Sequence, residues 1–145
     1  MLFNTIFNKG HLPVLELAIN FTGQRHKVIT NNIANATTPK YKALDLPVSQ
    51  FQTELARAID EMERRPVRLL DFEGSPDVTV GPGNHIEPTV VQSAGAGMMR
   101  HDENNVAIEM QMVELAKNTG LNTAFKEILA QQYNLLDMAI SLRVT

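Results

Sequence analysis

His101, Asp102 and Glu103 stand side by side, and an imidazole beside two carboxylates is raw material for acid–base catalysis. Consecutive residues at a helix start do not converge on one reacting atom, so the triplet does not read as a catalytic site. Helix capping and the positive end of the helix dipole account for Asp102 and Glu103 without any chemistry. His11 and His85 are isolated in the chain. His26 falls in a helical seam with no second histidine or carboxylate at ligand spacing on its face, so it reads as a half-buried, hydrogen-bonded histidine and not a metal ligand. Gly81-Pro82-Gly83 lacks the phosphate-loop pattern and its lysine. Cysteine is absent, which excludes disulfides, thiolate zinc sites and cysteine nucleophiles. The sequence therefore predicts no enzyme, no metal and no cofactor, and its residues are expected to work by packing.

The chain has 145 residues, enough for one ordinary domain. Thirteen basic against sixteen acidic residues give no single-sign field, so no nucleic-acid partner is expected. No stretch approaches the roughly 20 apolar residues of a membrane span. Met1-Leu2-Phe3-Asn4-Thr5-Ile6-Phe7-Asn8-Lys9 lacks the basic head and long apolar run of a cleaved secretory signal. Any export must then use a route that does not read such a signal.

Three zones follow from the periodicity, at 1–42, 43–101 and 102–145. The first holds a helix from about Leu12 to Asn35, with Pro13 in its opening turn. Leu12, Leu15, Ile19, Thr22, His26, Ile29 and Ile33 recur at steps of three and four, a heptad seam, with Val14, Phe21 and Val28 on a neighbouring stripe. The middle zone is rich in proline and glycine and cannot be one long helix. It begins with a short amphipathic helix burying Phe51, Leu55, Ile59 and Met62, with Ser49 and Gln52 as a capping box and Pro66 as its stop. Val78–Val80 and Thr89–Val91 are short β-like runs on either side of Gly81-Pro82-Gly83, read as a hairpin or as extended loop. The third zone predicts a helix from Asp102 to about Leu142. Leu121, Phe125, Ile128, Gln132, Leu135, Ala139 and Leu142 form its seam, and Leu115 lies on an adjoining stripe.

The fold class expected is mainly α. Long N- and C-terminal helices pair as an elongated antiparallel coiled-coil-like bundle, with a short helix and a Gly/Pro-rich irregular or small β insert between them. Leu12, Leu15, Ile19, Ile29 and Ile33 are expected to meet Leu121, Phe125, Ile128, Leu135 and Leu142. About forty residues of continuous helix stretch ~60 Å. A compact chain of this length has a radius of gyration near ~15 Å. The terminal helices are thus too long for one chain to cover, and full ordering is expected only when other copies pack alongside.

The zones meet at Asn31-Asn32-Ile33-Ala34-Asn35-Ala36-Thr37-Thr38-Pro39-Lys40-Tyr41-Lys42. Asparagine amides compete for backbone groups and are poor helix-interior residues, so these side chains are expected to bond a neighbouring element and fix its register. Thr38-Pro39 ends the helix. This passage resembles the N-N-I-A-N-x-x-T-P-G-Y-K signature of the flagellar basal-body rod family, the axial proteins of bacterial flagella. Lys40 stands where the family usually has glycine, so a positive φ would be strained there and a type I turn is expected. Asn104-Asn105-Val106 through Glu114-Leu115-Ala116-Lys117-Asn118 resembles the family's second conserved segment. Glu103 replaces a frequent Gly, Ala107 a frequent Asp and Asn122 a frequent Tyr.

The resemblance covers roughly the first 42 and last 44 residues and implies a subunit of the rod, with the short middle zone and Arg100–Val106 most like a proximal-rod member. Implied partners are other copies of the chain, other proximal rod proteins, the rod adaptor protein, the membrane-supramembrane ring and the flagellar type III export apparatus, with no direct membrane insertion. The implied location is the periplasmic rod of the basal body, reached from the cytoplasm without a cleaved signal peptide. The expected assembly interface comprises Leu12, Leu15, Ile19, Ile29, Asn31, Asn32, Ile33, Asn35, Pro39, Tyr41, Asn104, Asn105, Val106, Leu115, Leu121, Phe125, Ile128, Leu135 and Leu142. A soluble coiled-coil adaptor or secretion chaperone, using the same seams to bind a client, is the alternative.

Overall fold

The computed structural model of the chain describes residues 12–64, 70, 72, 74, 76, 78–81, 85–93 and 103–141. His11, Pro66, His101, Asp102 and Leu142 lie outside them. The described elements, in chain order, are α1 (Leu12–Ala34), β1 (Leu44–Asp45), α2 (Val48–Arg64), β2 (Val78–Gly81), β3 (His85–Pro88), β4 (Val91–Gln92) and α3 (Ile108–Ser141). The chain is mainly helical, its long N- and C-terminal helices lie together, and two small two-stranded sheets sit in the middle zone.

α1 and α3 run antiparallel. Ile19 and Thr22 bond Asn122 and Asn118, Arg25 bonds Glu114 and Asn32 bonds Gln111, so one helix climbs as the other descends. The face of α1 buried toward α3 is Leu15, Ala18, Thr22, Ile29 and Asn32, and on α3 Gln111, Asn118 and Gln132 are buried at spacings of seven and fourteen residues. Leu115, Asn122 and Phe125 are half-buried among them. Each helix therefore buries one of the expected heptad rows and leaves the other half-buried or exposed. Thr22 is buried and Phe125 half-buried in the pair, as expected, but Leu121 is 51% and Leu135 43% exposed. Leu12, Ile19, Ile33 and Ile128 are only half-buried, and His26 is exposed, not half-buried. The physical reason is that the polar rows find partners across the pair, so their burial carries little desolvation cost.

α2 buries Phe51, Ala58 and Met62, with Leu55 and Ile59 half-buried beside them, the face its periodicity predicts. Ser49 and Gln52 are exposed inside this helix and do not form its cap; the Phe51 N–H donates to the Pro47 carbonyl at 3.0 Å. The main core gathers Leu17, Phe21, Leu46, Phe51 and Val78, with Val28, Val48, Leu55, Leu70 and Phe72 packed on it. The Phe21 and Phe51 rings stack at 4.0 Å and 3°. This cluster fixes the middle zone on the side of α1. The hairpin forms, but β2 pairs with His85–Pro88, and Val91 pairs instead with Asp45 in the β1–β4 ladder. Gly74 closes the approach to β2 with φ 77, where a Cβ would strike the Val78 carbonyl.

α3 starts at Ile108, not at Asp102. Glu103 has φ 60, and the Val106 N–H donates to Asn104 Oδ1 at 2.7 Å, an Asx-type turn that a helical start does not permit.

Candidate functional site

The two family-like passages come together at one end of the α1–α3 pair. Asn32 is fully buried in the last turns of α1. Its Nδ2 donates to the Leu44 carbonyl at 2.6 Å and to Gln111 Oε1 at 2.9 Å. Its Oδ1 accepts from the Leu44 N–H at 3.0 Å and the Tyr41 hydroxyl at 3.1 Å. One amide thereby joins α1, the turn, β1 and α3. Burial pushes the Tyr41 hydroxyl above its ordinary pKa, which keeps it the proton donor in this bond.

Asn104, also fully buried, does the same work from the other passage. Its Nδ2 lies 3.1, 3.2 and 2.7 Å from the carbonyls of Asn35, Ala36 and Thr38, where α1 ends and the chain turns. Asn105 Oδ1 accepts from the Ala43 N–H at 2.7 Å, and Lys42 Nζ donates to the Glu103 carbonyl at 2.6 Å. Ala36, Ala43 and Val106 are buried against one another beneath these bonds, with Tyr41 and Ile108 beside them. The signature and the 103–106 turn are two halves of one clamp.

Within it, the Tyr41 N–H donates to the Thr38 carbonyl at 3.3 Å, with Pro39 second and Lys40 third in the turn. Lys40 has φ 62, so the turn has the type II signature and the expected type I geometry does not form. Glu103 also has positive φ. An L-residue pays roughly 1–2 kcal/mol for that conformation, and the Asn104 and Lys42 bonds hold it in place. Asn31 and Asn35 do not reach another element through their side chains: Asn35 Nδ2 donates to the Asn31 carbonyl at 2.9 Å and to Asn31 Oδ1 at 3.0 Å. Pro39 is exposed.

Further along the pair, Arg25 makes a bidentate contact with Asp45, at 2.8 and 2.7 Å, and a third bond to Glu114 at 3.0 Å. The Asp45 carboxylate is the main reason the guanidinium lies above its ordinary pKa. Lys117, bonded to Glu114 at 3.0 Å, and then Arg25 hold the Glu114 carboxyl below the usual carboxylate value against the opposing effect of burial. Asn118 Nδ2 donates to the Thr22 carbonyl at 2.8 Å, and Asn122 Nδ2 to Thr22 Oγ1 at 2.7 Å. Gln132 differs: its Nε2 is buried with no hydrogen-bond partner. Sequence reasoning missed Arg25, Gln111 and Asn118, all polar residues at heptad positions, a spacing that could have marked them.

These groups are bonded to one another, and Arg25, Asp45 and Glu114 also line an open cavity of about 450 Å³ beside the start of α2. Among the described residues no group of three histidine, aspartate or glutamate side chains could hold a metal, and no helix is long and apolar enough to cross a membrane. What stays open is the outer surface of α3, where Met110, Met112, Val113, Leu121, Tyr133, Leu135 and Met138 are exposed.

No protein-family model matches the chain. It is 31% identical over 106 residues to the flagellar basal body rod protein FlgB of Aquifex aeolicus, covering 69% of this chain and 68% of that one. It is 29% identical over 134 residues to the protein of the same name from Bacillus subtilis, covering 91% and 94%. With the FlgB of Cereibacter sphaeroides the identity is 32% over 111 residues, covering 77% and 78%. All three relatives are rod proteins, which leaves the adaptor or chaperone alternative without support. The chain belongs to the FlgB family of flagellar basal body rod proteins.

Proposed function

We propose that the chain is a structural subunit of the proximal rod of the bacterial flagellum, polymerising through its terminal helices into the shaft that carries torque. The observation that carries this reading is the set of large apolar side chains that α3 leaves exposed. This helix has 34 residues and is about 50 Å long. It meets α1 through a largely polar seam while Leu121, Tyr133, Leu135 and Met138 face outward. Apolar surface of that extent on a rigid rod is what neighbouring subunits would cover. In the assembled shaft the long helices would pack in coiled-coil fashion, adding a second, apolar seam to the polar one.

In this reading the residues divide by task. Asn32, Tyr41, Asn104, Asn105 and Val106 build the clamp, together with the main chain around Asn35 and Pro39. Leu12, Ile19, Ile33, Leu115, Leu121, Ile128, Leu135 and Leu142 supply the surface for neighbours, and Leu15, Ile29 and Phe125 hold the helix pair beneath it. The zones 1–42 and 102–145 form the axial part and 43–101 a side insert. The subunit would reach the periplasmic part of the basal body through the flagellar type III export apparatus without a cleaved signal. There it would neighbour other proximal rod proteins, the rod adaptor and the membrane-supramembrane ring. The test is replacement of the chromosomal copy by a Leu121→Glu, Leu135→Glu double variant. Circular dichroism unchanged from the parent, with swimming lost and the variant missing from purified basal bodies, is expected; normal swimming contradicts the reading.

A further inference from the structure

Between the two long helices runs a groove of about 470 Å³ lined by residues of α1 and α3. Ile19, Gly23 and Thr123 line it, with His26, Lys27 and Lys126 around them. A Cβ built on Gly23 would meet nothing within 4 Å, so nothing among the described residues requires a glycine there. A glycine in a helix interior is disfavoured relative to alanine, and its benefit is that another backbone can come close. The far half of α3 has the opposite character. Residues 127–141 carry Glu127 and Asp137 and no lysine or arginine, and Tyr133, Leu135 and Met138 are about half exposed.

We propose that residues 127–141 of one copy lie in the α1–α3 groove of the next copy, their acidic side chains against Lys27 and Lys126 and an apolar side chain over Gly23. The occupant is a second copy of this chain. Charge complementarity supports that assignment, since the groove and the segment carry opposite signs. Because the two surfaces differ, the contact is heterologous, and repeated application extends a filament and does not close a pair. The proposal rests on the rod-subunit reading and names a surface through which such a subunit would join its own kind.

The natural chain has no cysteine, which makes disulfide trapping clean. Equimolar Gly23→Cys and Met138→Cys chains, mixed under mild oxidation, are expected to give at least ten times more cross-linked dimer than Thr53→Cys with Met138→Cys, since Thr53 is an exposed residue of α2. Adding Lys27→Glu and Lys126→Glu to the groove chain is expected to lower the yield several-fold. Adding Glu127→Lys and Asp137→Lys to the other chain should restore it. Equal yields for Gly23 and Thr53, or a yield indifferent to these charge exchanges, overturn the proposal. Sedimentation of the cysteine-free parent separates the two failures. A parent that self-associates without the Gly23 cross-link leaves the rod reading standing and removes this groove. A parent that neither self-associates nor enters basal bodies removes both.

Discussion

Asn32 and Asn104 each satisfy main-chain groups stranded where α1 stops and the chain turns toward β1. Leucine at position 32 would keep the branched shape, with somewhat more bulk, but leave the Leu44 N–H and carbonyl, the Tyr41 hydroxyl and the Gln111 amide without their partner. Leaving buried groups unpaired is what makes such a loss expensive, so Asn32→Leu is expected to cost about 3 kcal/mol in thermal or denaturant unfolding of the isolated chain. A loss below ~0.5 kcal/mol would mean the amide serves contacts outside the chain instead. The opposite sign is expected one residue before α3. Ala107 is its N-cap, its carbonyl accepting from the Gln111 N–H at 3.0 Å, and alanine offers no side-chain acceptor to the first turn. Ala107→Asp should stabilise by about 1 kcal/mol, and an unchanged midpoint would count against this placement of the helix start.

At the scale of elements, the three helices, the Thr38-Pro39 stop and the buried face of α2 were legible because periodicity and proline geometry are local. The rows that join α1 to α3 were legible by half. Leu15, Thr22, Ile29, Phe125 and Gln132 sit in or beside the seam, but hydrophobicity favoured Ile19, Ile33, Leu121 and Leu135 for the second row, whereas the fold uses Ala18, Arg25, Asn32 and Asn122. An apolar rule cannot see a polar row whose partners come from another element. The same blindness hid the Lys40 turn, since only the Asn104 contact with Thr38 shows why positive φ is tolerated there. The Arg25 triad joins α1, β1 and α3 and has a pH consequence. Glu114 has its pKa lowered in the fold, so its contribution is complete above the ordinary carboxylate range and is lost as the pH falls through the folded value. Stability should therefore fall on acidification below about pH 5, and Glu114→Gln should make that fall shallower. Identical pH profiles for the two chains would contradict the role given to Arg25 and Lys117.

At the scale of the molecule, one side chain set closes the chain on itself and another is left for neighbours. The clamp gathers residues from both family-like passages into a rigid corner, and the outer rows of α1 and α3 run away from it along a helix about 50 Å long. Gln132, buried with an unpaired amide nitrogen, lies in the distal part of that helix, away from the clamp. The most direct measurement is a cryo-electron microscopy map of intact basal bodies with side chains resolved at the proximal rod. Asn104 is expected within hydrogen-bonding distance of the Thr38 carbonyl of its own chain, with Leu121 and Leu135 buried against a neighbouring subunit. A signature turn held by the Asn104 of a different subunit, or Leu121 and Leu135 facing water in the finished shaft, would contradict it.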